Sequence, residues 1–494
     1  MQTIDVSLYG PVLAPLLGAV LALVLPRWVA AVTSVLAALG VLASGIALSL
    51  RTAHGASLDA GLVRADALTA WLVTAVGAVA TIACWAGVHQ LRDEARDGTL
   101  TRWSATRYLV LVQLFLTCMS LAVLAANVGV FWVAVEATTI VTAFLVGHKG
   151  TRTSTEAAWK YVVLCSVGVG IAFLGTVCVY AAAISSGATG GLAVLDWTYL
   201  GAHADQLDPG LMRLAAGLVL LGFGTKAGLA PMHAWLPDAH SQAPAPVSAL
   251  MSGVLLSVAF YGILRYKAIF DVALGTGYVR TLLFVAALLS LALAAVLLIG
   301  QRDYKRLLAY SSIEHMGLIA LGTAIGGRLA LSAVLLHILG HGLAKAVAFC
   351  GAGQVLHRMG SPLIAAVRGA IGRAPATAAL FGVAVVALLG LPPFPLFASE
   401  LGIARAGFSA GFGWAVAVGL GLALVAFAAI IRHGAGMLLG APESTGDGQA
   451  AHRIGVSWLP LALGLATAAV VGVWLGPLRP LLESAAMIAA GGGR

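Results

Sequence analysis

Residues 329–355 read LALSAVLLHILGHGLAKAVAFCGAGQV. A bilayer core about 30 Å thick needs about 20 mainly apolar residues in a helix, and this run supplies them. Its length and lack of alternation exclude a strand. Within it His337, His341 and Lys345 fall at i, i+4 and i+8, so they line one helix face. At about 1.5 Å per residue the stripe covers roughly 12 Å of membrane depth. Three titratable groups in one stripe of an apolar helix point to a proton wire facing the interior of a helical bundle.

The rest of the chain repeats the pattern. Of 494 residues 60% are hydrophobic and 10% charged, against about 25% charged in soluble proteins. That excludes a soluble enzyme and a disordered chain. The basic residues behind the net charge of +9 sit singly or in small groups between apolar runs, with no block of five or six like charges, which excludes nucleic acid as a partner. Cys84, Cys118, Cys165, Cys178 and Cys350 lie inside apolar runs without a CxxC pair, so no metal or cluster is assigned to them.

Apolar runs separated by polar or Gly/Pro breaks occupy 8–26, 29–50, 67–88, 108–125, 128–147, 158–184, 211–230, 244–264, 276–300, 307–325, 329–355, 375–393, 410–431 and 455–476. The expectation is an all-α membrane bundle of about fourteen spans without strands. Segments after odd-numbered runs carry sixteen of the 28 Lys and Arg, Arg453 included; the opposite side carries ten, Arg494 included. The positive-inside rule then puts both termini on the outer side of the membrane.

The two cations left over, Lys226 and Lys345, lie inside apolar runs, and the chain has only six lysines. Buried lysine gains and loses a proton more readily than arginine, so its use here points to titration. With Glu136, Glu314 and Glu400 they form an intramembrane set, each costing about 2.5–3.5 kcal/mol at a helix centre. Such groups face the bundle interior and pair or neutralise. The plainer alternative is static Glu–Lys pairs that lock helices together. His315 stands beside Glu314 and extends the set.

Two stretches break their helices. Residues 222–246 read GFGTKAGLAPMHAWLPDAHSQAPAP, with Pro231, Pro237, Pro244 and Pro246 after Lys226. Residues 387–404 read ALLGLPPFPLFASELGIA, with Pro392, Pro393 and Pro395 before Glu400. Proline removes a backbone donor and clashes with the preceding turn, and interrupted helices at membrane depth are tolerated where they are buried or line a wet cavity. His233, Asp238 and His240 fall in the first break; polar lining is preferred there to a zinc site, and no metal or cofactor is assigned. Glu136 precedes Lys226 by 90 positions and Glu314 precedes Glu400 by 86. Five runs separate the copies, an odd number, which predicts two inverted five-helix repeats over 107–266 and 267–432. Residues 1–106 hold three leading helices, and 433–494 the last helix and tail.

The segments VAVEATT (133–139), EAAWKYVVLC (156–165), 224–250, AYSSIEHMG (309–317), 337–355 and GLPPFPLFASE (390–400) resemble the antiporter-like subunits of complex I, of Mrp antiporters and of membrane-bound hydrogenases. The wording looks most like the hydrogenase-4 / formate hydrogenlyase component F type. The resemblance covers about residues 100–410. It implies fourteen helices and a proton-translocating subunit of a bacterial inner-membrane complex that has no redox centre of its own. It also implies partners: other membrane subunits and a peripheral redox arm, NiFe-hydrogenase-like or NADH/quinone. By motif, Glu136 corresponds to the fifth-helix glutamate, Lys226 to the lysine paired with it, His315, His341 and Lys345 to the central axis, and Glu400 to the terminal carrier. Two departures stand out. Ser257 occupies a place where some relatives titrate, leaving water or His240 to carry the proton, and Glu400 replaces a lysine of other branches. An Mrp-type Na⁺/H⁺ antiporter subunit and a bicarbonate-uptake subunit remain as alternatives without redox partners. A haem protein using His315, His337 and His341 fits less well, because His337 and His341 share one helix face.

Overall fold

The computed structural model describes residues 5–189, 191–441 and 456–492. Arg453, Arg494 and the first position of the fourteenth run lie outside the described residues. In chain order the main helices are α1 (Val6–Val24), α2 (Arg27–Thr52), α3 (Ala67–Arg96), α4 (Arg102–Leu124), α5 (Val128–Val146), α6 (Arg152–Ser185), α7 (Pro209–Lys226), α8 (Trp235–Gln242) and α9 (Ala245–Leu274). There follow α10 (Thr276–Ile299), α11 (Tyr304–Ile325), α12 (Gly327–Met359), α13 (Pro375–Leu388), α14 (Pro395–Ser409), α15 (Gly413–Leu439), α16 (Leu459–Val473) and α17 (Arg479–Ala489).

Polar residues at the run edges start these helices. The Asp66 carboxylate accepts from the Thr69 N–H at 3.0 Å ahead of α3, and Thr101 and Ser104 form a reciprocal capping box on α4. Asp303 accepts from the N–H groups of Lys305 and Arg306 at 2.7 and 3.0 Å on α11. Each such cap contributes about 1 kcal/mol. Gly360, at φ +71°, ends α12 in the left-handed conformation that glycine adopts without a Cβ clash.

Among the described residues, ten helices are long and apolar enough to cross a membrane, or eleven if α16 and α17, bent by 71°, make one span. The ten are the first six runs and the eighth, ninth, eleventh and thirteenth. Of the four runs that fall short, the seventh, tenth and twelfth carry a titratable residue or a proline break singled out above. Helix α7 ends on Lys226, α11 holds Ser311, Ser312, Glu314 and His315, and α13 has only 14 residues before the second break. One expectation is corrected: strands are present. Leu58–Ala60 pairs antiparallel with Val63–Ala65 across a turn where Gly61 takes φ +67°, a hairpin too short to appear in the hydropathy pattern.

Burial sorts the helices into layers. The most apolar window of α9 and of α12 is wholly buried, against a third for α1 and α15, whose apolar side chains face outward. An apolar helix buried on all sides is the centre of its bundle. Helix α12 accordingly packs on α3, α9, α11, α13, α14, α16 and α17. Its backbone touches that of α9: a Cβ on Gly342 would lie 2.8 Å from the Gly253 carbonyl oxygen. Gly253 sits in a π-helical turn, Met251–Leu255, inside α9.

Both breaks have the same backbone. Helix α7 stops at Lys226, Gly228 takes φ +77°, the Ala230–Pro231 peptide is cis, and the chain resumes as α8. Helix α13 stops at Leu388, Gly390 takes φ +62°, the Pro392–Pro393 peptide is cis, and α14 follows. Glu400 therefore stands on a separate short helix beyond the break. Pro231, Pro392 and Pro393 are themselves exposed.

Candidate functional site

Helices α5, α6 and α7 assemble the first cluster. Close helix contact makes it possible, since a Cβ at Gly222 would lie 2.4 Å from the Ala172 backbone nitrogen. The Lys226 ammonium, wholly buried, donates to Thr139 Oγ1 at 2.8 Å and to the Tyr161 hydroxyl at 2.6 Å. Thr139, one turn beyond Glu136 on α5, donates in turn to Glu136 Oε2 at 3.4 Å, and Ser166 Oγ donates to Oε1 at 2.8 Å. The two charges are thus joined through a hydroxyl and not by a direct ion pair. Neither Thr139, Tyr161 nor Ser166 was singled out from the sequence, because periodicity does not reveal contacts between helices.

At the first break Trp235 Nε1 donates to the Thr225 carbonyl at 2.9 Å, satisfying an acceptor freed by the end of α7. The Trp235 ring lies 5.0 Å from Tyr161 and 6.4 Å from His240, and His240 stacks on Phe349 at 5.2 Å. His240 is buried, and both its ring nitrogens lack a protein partner. Buried polar groups of this kind take water as their partner. Asp238 turns away to Lys160 at 3.1 Å and Arg306 at 2.6 Å, so His233, Asp238 and His240 do not converge. Lys305, counted above among the loop cations, is buried and donates to the carbonyls of Ser241 and Ala243 at 2.9 and 2.8 Å. It closes the C-terminal end of α8, where a cation is favoured.

The second cluster joins α11, α12 and α14. Lys345 donates to the Leu308 carbonyl at 2.6 Å and to Ser311 Oγ. One turn earlier on α12, His341 is buried without a protein partner, its ring 5.0 Å from that of His315. His315 Nδ1 and His337 Nε2 are 3.1 Å apart, and His337 Nδ1 is 2.9 Å from Ser399 Oγ. The Ser399 hydroxyl donates its proton to the Leu396 carbonyl at 2.8 Å. It therefore accepts from His337 Nδ1–H, which leaves His337 Nε2 bare to accept from His315 Nδ1–H. Glu400 completes the group: one ligand atom each from His315, His337 and Glu400 lie within 4.8 Å of one another. The Glu400 carboxylate packs on Gly390, where a Cβ would come within 2.6 Å of it. Glu314 is buried with Oε2 lacking a protein partner.

The Ser257 Oγ is buried and unpaired. The hydroxyl that does cross between helices there is Ser252, in the π-turn, 2.7 Å from Ser312 Oγ. A π-turn shifts the helix register by one residue and often marks a functional position. The nine titratable residues expected from the sequence thus fall into two clusters, with His240 between them near the Lys345 end of α12.

Residues 125–426 match the family model described as NADH:quinone oxidoreductase/Mrp antiporter, transmembrane. The chain is 38% identical over 342 residues to a hydrogenase-4 component F homolog of Methylacidiphilum infernorum (isolate V4), covering 69% of this chain and 72% of that one. It spans about half of several other curated relatives, among them 52% of hydrogenase-4 component B of Escherichia coli (strain K12), at 29% identity over 371 residues. In fold it is similar to a chain of the Mrp complex from Dietzia sp. DQ12-45-1b, with TM-score 0.85, 22% identity, and 99% and 98% of the two chains covered.

Proposed function

Because the chain belongs to the NADH:quinone oxidoreductase/Mrp antiporter transmembrane family, we propose that it is a proton-translocating antiporter-like subunit. The observation that carries this reading is the pair of buried titratable clusters, each beside a broken helix, with His240 between them. In this reading the bundle comprises fourteen spans, α7–α8 and α13–α14 each counting as one. Residues 107–266 and 267–432 are inverted repeats that set the two breaks in corresponding places, flanked by residues 1–106 and 433–494.

Charge on Glu136 holds the proton on Lys226 through Thr139. Withdrawing or neutralising that carboxylate removes the stabilisation, and the dry surroundings then favour release. The proton passes Trp235 through water to His240 and on to Lys345 and His341. At His315 it enters on Nε2 and leaves from Nδ1 to His337 Nε2, so the tautomers set by Ser399 orient the relay toward Glu400. Glu400 delivers it to the outer side.

Driving force must come from partners. The likeness to a hydrogenase-4 component F homolog supports other membrane subunits and a redox arm of hydrogenase type in a bacterial inner membrane. The decisive experiment is Lys226→Met in the native complex. Proton transport should be abolished while assembly and electron transfer persist. Unchanged proton transport in an assembled complex would overturn the scheme, and sodium-dependent flux without redox partners would assign the chain to antiport instead.

A further inference from the structure

The second cluster meets the demands of a transition-metal site as well as those of a relay. We infer that His315, His337 and Glu400 bind a divalent cation of the zinc type, and that its binding arrests proton transfer at this point. Two imidazoles and a carboxylate form an open zinc donor set, with a fourth position left for water. Two nitrogens about 2.0–2.1 Å from a tetrahedral zinc stand roughly 3.3 Å apart; His315 Nδ1 and His337 Nε2 are 3.1 Å apart. One Glu400 oxygen lies within 4.8 Å of one ring nitrogen of each histidine, so a side-chain movement brings it in.

The surroundings fit a ligand. A metal-bound imidazole needs its other nitrogen held by a hydrogen bond that fixes the ring. Ser399 supplies that bond to His337 Nδ1, leaving Nε2 bare. His315 would move its proton from Nδ1 to Nε2, a buried atom without a protein partner. Glu314 faces the same region with a buried, unpaired Oε2 that favours added positive charge. His341 is the other group beside His315. The Lys345 ammonium is held by Leu308 and Ser311 two turns of α12 from His337, on the far side of His341. Access is from Glu400, which is partly exposed while both histidines are buried.

Binding rests on this geometry alone; the arrest also rests on the transfer route proposed above, because metal and proton compete for the same nitrogen lone pairs. The probe is Co²⁺ added to the full chain in lipid nanodiscs, since tetrahedral Co²⁺ absorbs visible light far more strongly than six-coordinate Co²⁺. One Co²⁺ per chain should give the strong band, and Zn²⁺ should displace it. His337→Gln should abolish the band, and the milder Ser399→Ala should weaken affinity about tenfold or more. Weak six-coordinate absorption, or a strong band that both variants retain, overturns the site. In proteoliposomes of the intact complex, Zn²⁺ should stop wild-type proton flux over the concentration range in which it displaces Co²⁺. Flux that continues with the site filled overturns the arrest and counts against the route. Absence of binding together with loss of flux in His337→Gln overturns this inference and leaves the proposed route standing.

Discussion

The two broken helices of this chain share a backbone and differ in chemistry. Each has a glycine at positive φ two residues past a helix end and a cis X–Pro bond three residues further on. Beside the first break the charged groups are held tightly by three hydroxyls: Tyr161 on the Lys226 ammonium, Ser166 on the Glu136 carboxylate, and Thr139 on both. Beside the second, His341 lacks any protein partner, and one atom each of His315 and Glu314 is unpaired. Satisfied polar networks rigidify, whereas unpaired buried groups wait for a proton, a water or an ion. In the function proposed above, the first cluster holds a charge until its partner changes, and the second passes charge along. One backbone device thus serves a latch and a relay.

After Lys226→Met, the largest effect should come from the relay's last member. Glu400→Gln keeps the shape and removes the titrating group. Proton flux in the assembled complex should fall by about 10² or more, the lower end for loss of a proton-transferring side chain, and Glu400→Asp should restore part of it. Flux in Glu400→Gln at the wild-type level would make the second cluster structural and erase the contrast.

A smaller effect is expected at the latch. Thr139→Val keeps the volume and removes the hydroxyl between Lys226 and Glu136. Loss of one charge-assisted hydrogen bond costs about 1.5–3 kcal/mol, and each 1.4 kcal/mol is about tenfold. Coupled flux should fall about tenfold while the complex assembles. An effect equal to that of Lys226→Met would show that the hydroxyl is itself an obligatory carrier, and the latch would have to be redrawn as a relay.

Much of this was legible in the residues. The apolar runs locate ten spanning helices, with ends up to about ten residues away, as at Leu274 against 264, because a bilayer imposes length and polarity on any helix that crosses it. Seven of the nine titratable side chains stood out because a polar or charged group inside an apolar run is costly, and His240 and Glu400 because they follow the proline breaks. What stayed hidden depends on contacts between helices. Thr139, Tyr161, Ser166, Ser311 and Ser399 are ordinary hydroxyl residues until packing brings them to a charged or titratable group. Lys305 looked like a loop cation because its carbonyl partners lie at the C-terminal end of α8, some 60 positions away. The π-turn in α9 carries Ser252, which meets Ser312 Oγ, and such a local change of helix register leaves no trace in a hydropathy pattern.

The least effect on flux should come from a pair that behaves as the plainer alternative requires. Asp66, at the N-terminus of α3 and outside the spans, meets the Arg265 guanidinium directly at 2.7 Å, both side chains largely buried. Burial alone pushes the Asp66 carboxyl up, but Arg265 and the Thr69 N–H outweigh it and hold the pKa below the ordinary value. A carboxyl lowered in this way stabilises the fold above its unfolded pKa of about 3.9 and loses that contribution as pH falls through the folded value. Asp66→Asn leaves a buried guanidinium unpaired, which costs about 3–5 kcal/mol. The variant should melt well below the wild type at neutral pH, the difference should shrink in acid below about pH 4, and flux per folded complex should be unchanged. This direct ion pair locks α3 to α9, and the Glu136–Lys226 pair differs from it in having a hydroxyl between the charges. If Asp66→Asn lowered flux as Thr139→Val does without lowering stability, the distinction between a lock and a latch would fail.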